Sequence, residues 1–358
     1  MSIFNYNHFN NLIGLDISDS KIRFIQFRQS GKNKYRIISF SEKSIPQDLI
    51  RSGTVSNPDA VTKLLVSMVK EPDYGKLQSK FVNFSVPEKR SFVKVVTVPL
   101  VPSDELAGTV RWGIEQNIPV NINEVQYDWH VVKSSPSLAK DKMQCMVAVS
   151  PKNIIDGYAD IVTRAGLVPI CAENESVAIS RSLINTKTNP DASIMIIDLG
   201  RSRTNIIIFH NDAVQFSSSI EVSGNEMTRA VAHKLSLSFE DAEKIKILYG
   251  LDYHKGRGQI KSVLEPLMAQ LVNKLKEYVQ YYSEYMLGKK SITQVLLTGN
   301  VGKLSGIQQY LAAQLNIPIS IGDSYTNIRV LKSHDEHIAK LNTASYSTAI
   351  GLALKKIL

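Results

Sequence analysis

Leu12-Ile13-Gly14-Leu15-Asp16-Ile17-Ser18-Asp19-Ser20 and Ser193-Ile194-Met195-Ile196-Ile197-Asp198-Leu199-Gly200-Arg201-Ser202-Arg203 follow one design. Each is an apolar run that ends in Asp just before a polar turn. After the first, Lys21–Phe27 alternates, with Ile22, Phe24 and Gln26 on one face and Arg23, Ile25 and Phe27 on the other. Gly31-Lys32-Asn33-Lys34 then turns the chain into Tyr35–Phe40. After the second, Thr204–Phe209 runs to His210-Asn211-Asp212 and back along Ala213–Val222. Strand, polar turn, strand is the signature of a hairpin. Its recurrence in one chain predicts two lobes built on one plan.

Two hairpins facing each other can hold phosphates. Turn amides form an anion nest. An Asp at each strand end can hold Mg²⁺ through water, because Mg²⁺ prefers carboxylates together with retained waters. Asp16 and Asp198 are placed for that role, Asp19 lies in the first turn, and Ser18, Ser20 and Thr204 can add hydroxyls. Gly200, and Gly224 further on, let a ligand approach the backbone. A third segment, Val295–Ile307, reads as strand, glycine loop and helix start, with Gly299, Asn300 and Gly302 able to receive a flat group. In a fourth, Glu243 and Lys246 are three apart on one helix face. They could grip a ribose and a base edge, or they could belong to an ordinary solvated helix. The P-loop is absent: Gly302-Lys303-Leu304-Ser305 and Gly288-Lys289-Lys290-Ser291 lack both its leading glycine and its intact ending.

Composition narrows the class. The chain has 358 residues, 43% hydrophobic and 21% charged, which suits a globular protein of two domains or two lobes. The formal charge of +9 is scattered in short basic pieces, not gathered into a stripe, so no direct nucleic-acid contact is expected. No apolar run reaches the length of a membrane span. The opening MSIFNYNHFNN lacks the basic start and apolar core of a secretory signal. A cytoplasmic chain that reaches a membrane only through a partner is the expectation. Cys145 and Cys171 read as reduced, buried thiols. His334-Asp335-Glu336-His337 has metal-ligand spacing but sits among polar residues, and reads as a solvated turn.

Helix signals organise the rest. Asn57-Pro58 starts one helix and Ser103 caps Asp104–Asn117. Ser150-Pro151 starts another that Gly166 ends, and Ser238 with Asp241 forms a capping box. Pro266–Met286 reads as the longest helix and Leu304–Leu315 as the last well-formed one. The expected organisation is a first lobe over 10–87, completed by 167–191 and 329–358, an inserted α+β subdomain over 88–166, and a second lobe over 192–328.

In this order and spacing, the segments around Asp16, Asp198-Leu199-Gly200, Ala242–Lys246 and Leu297-Thr298-Gly299 resemble those of the actin-like ATPase superfamily. Ile13–Ile17, Val98-Pro99 with Ser103–Pro119, Glu175–Arg181 and Thr348–Leu354 are similar to segments of the PilM family, which is related to FtsA. The resemblance implies an α/β, actin-like (RNase H-like) fold of two lobes and binding of ATP with Mg²⁺. It also implies capture of the N-terminal tail of a PilN-like membrane protein in a type IV pilus platform, with other platform proteins as further partners and homo-oligomers left open. Phe92, Val95, Leu106, Val110 and Ile114 are the candidate tail groove, with core packing as the alternative. The chain departs from the family pattern at Ser18, where glycine is usual, at Arg201 and Arg203, where small residues are usual, and at Asn300-Val301. These departures point to binding with slow or absent hydrolysis. A nucleotide-free adaptor and a small-molecule kinase are the rival readings.

Overall fold

The computed structural model describes residues 11–46, 48–132, 138–188, 191–285, 290–299, 304–331 and 335–355. Strand β1 (Ile13–Ile17) is buried at every position, as a strand covered on both faces must be. It turns into β2 (Lys21–Gly31) and β3 (Lys34–Ser44) as an antiparallel meander. The short pair β4 (Ile50–Arg51) and β5 (Thr54–Val55) leads to α1 (Pro58–Lys70), where the Asn57 side chain accepts the Ala60 amide. β6 (Tyr74–Gly75) adds to β3, and β7 (Phe81–Val86) lies parallel to β1.

The insertion then contributes β8 (Phe92–Pro99), α2 (Leu106–Asn117), β9 (Val125–Val131) and β10 (Lys142–Pro151). Helix α2 starts at Leu106, later than Ser103 suggests, and its first turn has no side-chain cap. Helix α3 (Lys152–Arg164) turns Ile154, Tyr158, Ile161 and Val162 into the core beneath β1 and β7. β11 (Val168–Asn174) returns parallel to β7 and runs into α4 (Glu175–Leu183).

The second meander is β12 (Ile194–Leu199), β13 (Thr204–His210) and β14 (Ala213–Ile220). Three helices follow: α5 (Gly224–Leu235), α6 (Phe239–Tyr249) and α7 (Gln259–Tyr285). Helix α7 begins before Pro266, which it carries internally, because Ile260 and Leu264 are buried on its core face and extend the apolar stripe backwards. β15 (Gln294–Gly299) is parallel to β12, and α8 (Ile307–Leu315) leads to β16 (Ile319–Ile321). β17 (Arg329–Val330) brings the chain back to β3, followed by α9 (Glu336–Ala339) and α10 (Ser347–Leu354). Gly288, His334 and residues 133–137 of the Lys133–Asp141 loop lie outside the described residues.

The duplication is topological. The first sheet runs β11-β7-β1-β2-β3, and the second runs β16-β15-β12-β13-β14. In both, a central buried strand has a parallel neighbour on one side and an antiparallel hairpin on the other. The insertion prolongs the second sheet: β8 joins β14 through the Phe216/Lys94 pair, and β10 and β9 follow.

Helix α10 links the parts. A Cβ on Gly14 would lie 1.9 Å from the Ala349 carbonyl oxygen, so only glycine lets α10 rest on β1. A Cβ on Gly351 would lie 1.8 Å from the Ala178 carbonyl oxygen, so glycine also sets the approach of α10 to α4. Among the described residues no helix is long and apolar enough to cross a membrane. Cys145 is buried and Cys171 only half-buried, and neither forms a disulfide.

Candidate functional site

The two hairpins meet at a cleft. It is lined by Asp16, Ser18, Asp19, Ser20 and Arg23 from the first and by Asp198, Gly200, Arg201, Ser202, Arg203 and Asn205 from the second. Glu175 opens α4 at its floor, Gly299 closes β15, and Ser347 and Thr348 begin α10 on its wall. Asn300 and Gly302 lie outside the described residues.

The first turn is closed by its own serine. Ser18 N–H donates to the Lys21 carbonyl at 2.9 Å, its hydroxyl donates to the same oxygen at 3.0 Å, and it accepts the Lys21 amide at 3.2 Å. A glycine would supply only the first of these bonds. The hydroxyl expected to meet a ligand is thus spent on the turn. Thr204 is spent likewise, donating to the Val222 carbonyl at 2.6 Å. In the second turn Gly200 N–H donates to the Arg203 carbonyl at 2.9 Å, and the Gly200 carbonyl accepts the Gly224 amide at 3.0 Å. A Cβ on Gly200 would press to 2.8 Å from the Arg203 oxygen.

Glu243 and Lys246 stand behind Gly224 and are absent from the cleft wall. The Lys246 ammonium donates to the Gly224 carbonyl at 3.0 Å, to Thr228 at 2.9 Å and to Glu243 at 2.6 Å. All three of its protons are therefore used within the protein, tying α6 to α5. Burial lowers the Lys246 pKa, and Glu243 opposes that shift.

The cleft gathers acids out of water. Burial raises the Asp16 pKa, against the lowering effects of Arg23 and of the Ser85 hydroxyl, which donates to Asp16 at 3.0 Å. Burial first and the Asp16 charge second push Asp198 up to about 6. Glu175 is raised well above its ordinary value by burial and by Asp16. Arg23 answers part of this charge, 3.8 Å from Asp16, but its other partner is Glu42 at 2.5 Å. Two polar atoms are buried here without a partner: Arg203 Nη1, a donor, and Asn205 Oδ1, an acceptor. The Asp16 charge raises both Asp198 and Glu175, and such close carboxylates suit a divalent cation, while an unanswered guanidinium arm suits an anion. Among the described residues no cluster of three or more ligating side chains exists.

Reading the sequence leaves out Arg23, Glu175 and Asn205 as cleft residues. Arg23 faces Asp16, and Asn205 faces Asp198, at the same register of the two duplicated hairpins. That equal offset was the available signal. Glu175 has none, because only the packing of α4 brings it to the cleft, where it accepts the Asn205 amide at 3.0 Å.

The groove candidates divide. Val110 and Ile114 are fully buried with Val96, Val98, Cys145, Val147 and Val149, and Leu106 packs against the same cluster. Val95 is buried on the opposite face of the sheet, against α4, and Phe92 is 44% exposed. A fully buried side chain offers a partner no surface, so core packing is the role of Val110 and Ile114. The strand that carries Phe92 and Val95 is paired along its length with β10, and on its other side meets β14 at the Phe216/Lys94 pair. A real groove lies elsewhere, between two edge strands. Met146, Ala148, Asp128 and His130 of β10 and β9 face Ile170 and Cys171 of β11, with Val177 and Arg181 of α4 below. β9 and β11 each end their sheet.

Two lobes repeated in topology, each presenting a strand–Asp–turn to a shared cleft, define the actin-like ATPase fold. The family model for the type IV pilus assembly protein PilM matches residues 14–357, and the chain belongs to that family. The protein of a PilM-PilN type IV pilus biogenesis complex superposes with a TM-score of 0.80, at 21% identity and over 97% of this chain and 98% of the other. MreB 5 of Spiroplasma citri bound to AMPPNP shares the fold at a TM-score of 0.58 and 12% identity, over 97% of this chain and 96% of its own. Among curated sequences, the cell division protein FtsA of Neisseria meningitidis is 21% identical over 94% of this chain and 88% of its own length. FtsA of Pseudomonas aeruginosa is 23% identical over 96% and 88%.

Proposed function

We propose that the chain binds ATP with Mg²⁺ in the cleft between its two hairpins. In this reading it acts as a cytoplasmic assembly protein of a type IV pilus platform, peripheral to the inner membrane through a PilN-like partner. The observation that carries the nucleotide reading is the pairing of Asp16 and Asp198 beside the unpartnered arm of Arg203. Mg²⁺, when bound, would supply the positive charge that lets both carboxylates ionise and neutralises phosphate. Asp16 and Asp198 hold it through water, Gly200 admits the phosphates to the backbone, and Gly299 leaves room beside Asp198. Burial first and the Asp16 charge second raise the Glu175 carboxyl well above its ordinary value. Slow or absent hydrolysis is the reading that Ser18, Arg201 and Arg203 favour, since they put side chains in the two turns beside the cleft.

Titration calorimetry tests this. Wild-type protein is expected to give heat with ATP and Mg²⁺. Asp198→Ala is expected to weaken Mg²⁺-dependent binding about 10–100-fold, the loss seen when a positioned water-bridged ligand is removed. A wild type that gives no heat would leave the adaptor reading in its place.

The partner reading rests on the likeness to the PilM-PilN complex and on the groove between β9 and β11. An extended tail can add a strand to either edge while its side chains enter the space beside Met146 and Ala148. Ala148 is half-buried in that wall, so Ala148→Glu places a charge where the tail would lie. The variant is expected to lower affinity for a PilN N-terminal peptide at least ~10-fold in fluorescence anisotropy. Undiminished affinity would place the tail elsewhere.

A further inference from the structure

The Arg203 guanidinium joins the two turns. Its Nη2 donates to Asp19 of the opposite lobe, and Asp19 is itself fixed by accepting the Gly53 amide at 2.9 Å. Both side chains are 14% exposed. The second arm, Nη1, is buried and has no partner in the protein. A guanidinium presents a planar fork in which one arm can be anchored while the other recognises an oxyanion. Here the anchor and the free arm belong to the same residue, at the point where the turns meet.

Resting on the nucleotide reading above, we propose that Arg203 reads the terminal phosphate of the bound nucleotide and so makes this chain distinguish a nucleoside triphosphate from a diphosphate. A phosphate tail lying between the hairpins passes Gly200 and ends where the first and second turns come together, and that junction is the Asp19–Arg203 pair. Asp19 holds the guanidinium in place, so little side-chain entropy is lost when a phosphate arrives. A lysine could keep the ion pair with Asp19 but has no second arm to offer. Arg203 is thus a specificity-determining residue.

The test is calorimetric titration of the full chain with ATP and with ADP, each with Mg²⁺, for wild type, Arg203→Ala, Arg203→Lys and Asp19→Asn. Circular dichroism and melting curves check that each variant is folded. Wild type is expected to prefer ATP. Both Arg203 variants are expected to lose about tenfold or more in ATP affinity, with ADP affinity changed less than about threefold, since a charge-assisted bond to a phosphate is lost only with ATP. Asp19→Asn keeps the guanidinium but weakens its anchor, and should reduce the ATP preference less than either Arg203 variant does. An unchanged ATP-to-ADP ratio in a folded Arg203→Lys overturns the assignment while leaving nucleotide binding intact. Absence of heat with either nucleotide in the wild type overturns the underlying reading, and the assignment with it.

Discussion

Replacing Gly351 by valine is expected to prevent stable folding or to lower the melting temperature by at least about 5 °C, corresponding to a loss of roughly 3 kcal/mol or more. The cause is geometric. A Cβ at this position would lie 1.8 Å from the Ala178 oxygen, 2.5 Å from its carbonyl carbon and 3.0 Å from its Cα. These are backbone atoms of α4 and cannot rotate away. Helix α10 would have to lift from α4, yet its other face is fixed on β1 by Gly14. The same helix accepts the Arg181 guanidinium at the Gly351 carbonyl, 3.0 Å away. Lifting it would also disturb Ser347 and Thr348 in the cleft wall. Differential scanning calorimetry measures the effect. A melting temperature within 1–2 °C of wild type, a change of about 1 kcal/mol for a chain this long, would show that α10 and α4 have room the geometry denies.

Glu88→Gln is expected to act in the opposite direction, making the protein more stable at pH 8. Glu88 is only 4% exposed, and burial pushes its carboxyl up to about 7 despite hydrogen bonds from Ser217 and from the Ser176 amide at 3.3 Å. Its ordinary value is 4.5. The folded state therefore binds a proton more tightly than the unfolded chain. Its contribution is fully favourable below pH 4.5, declines as the pH rises, and is lost once the pH passes about 7. The difference amounts to about 3 kcal/mol at pH 8, with no discount for solvent because the group is buried. Glutamine removes the titration and keeps the geometry. Its oxygen can accept the Ser176 amide while its amide donates to the Ser217 hydroxyl. Denaturant midpoints at pH 5.5 and pH 8 should differ less in the variant than in the wild type, with most of the gain at pH 8. A variant that is less stable at pH 8 would mean that the ionised carboxylate holds its two hydrogen bonds more strongly than burial penalises it. Asp198, pushed up to about 6, adds a dependence of the same sign.

Much of the cleft could be read before any coordinates. The apolar run into Asp16 and the run into Asp198 each form a local unit whose alternation and turn residues specify strand, turn and strand. Their repetition announced two lobes, and five strands of each sheet share one order around them. Helix starts set by one side chain bonding a nearby amide, at Asn57 and Ser238, fall where expected. The start of α2 was misplaced because Ser103 makes no such bond and the chain turns once more before the helix begins. Pro266 misled in the other direction, since two buried apolar residues ahead of it extend α7.

The residue types and order of this chain by themselves determined the two strand–Asp–turn units, their duplication and the glycines at which the backbone is approached, because each depends on neighbours a few positions away. Only the tertiary structure decided which charges share the cleft. Arg203 meets Asp19, and Glu175 meets Asn205, across long intervals of sequence, and burial sets the acidities of Asp16, Asp198 and Glu88. It also decided that Val110 and Ile114 are core, and that a groove opens between β9 and β11. Periodicity tells which face of an element is apolar; whether another layer covers that face, and which strand is left as an edge, depends on how the layers pack.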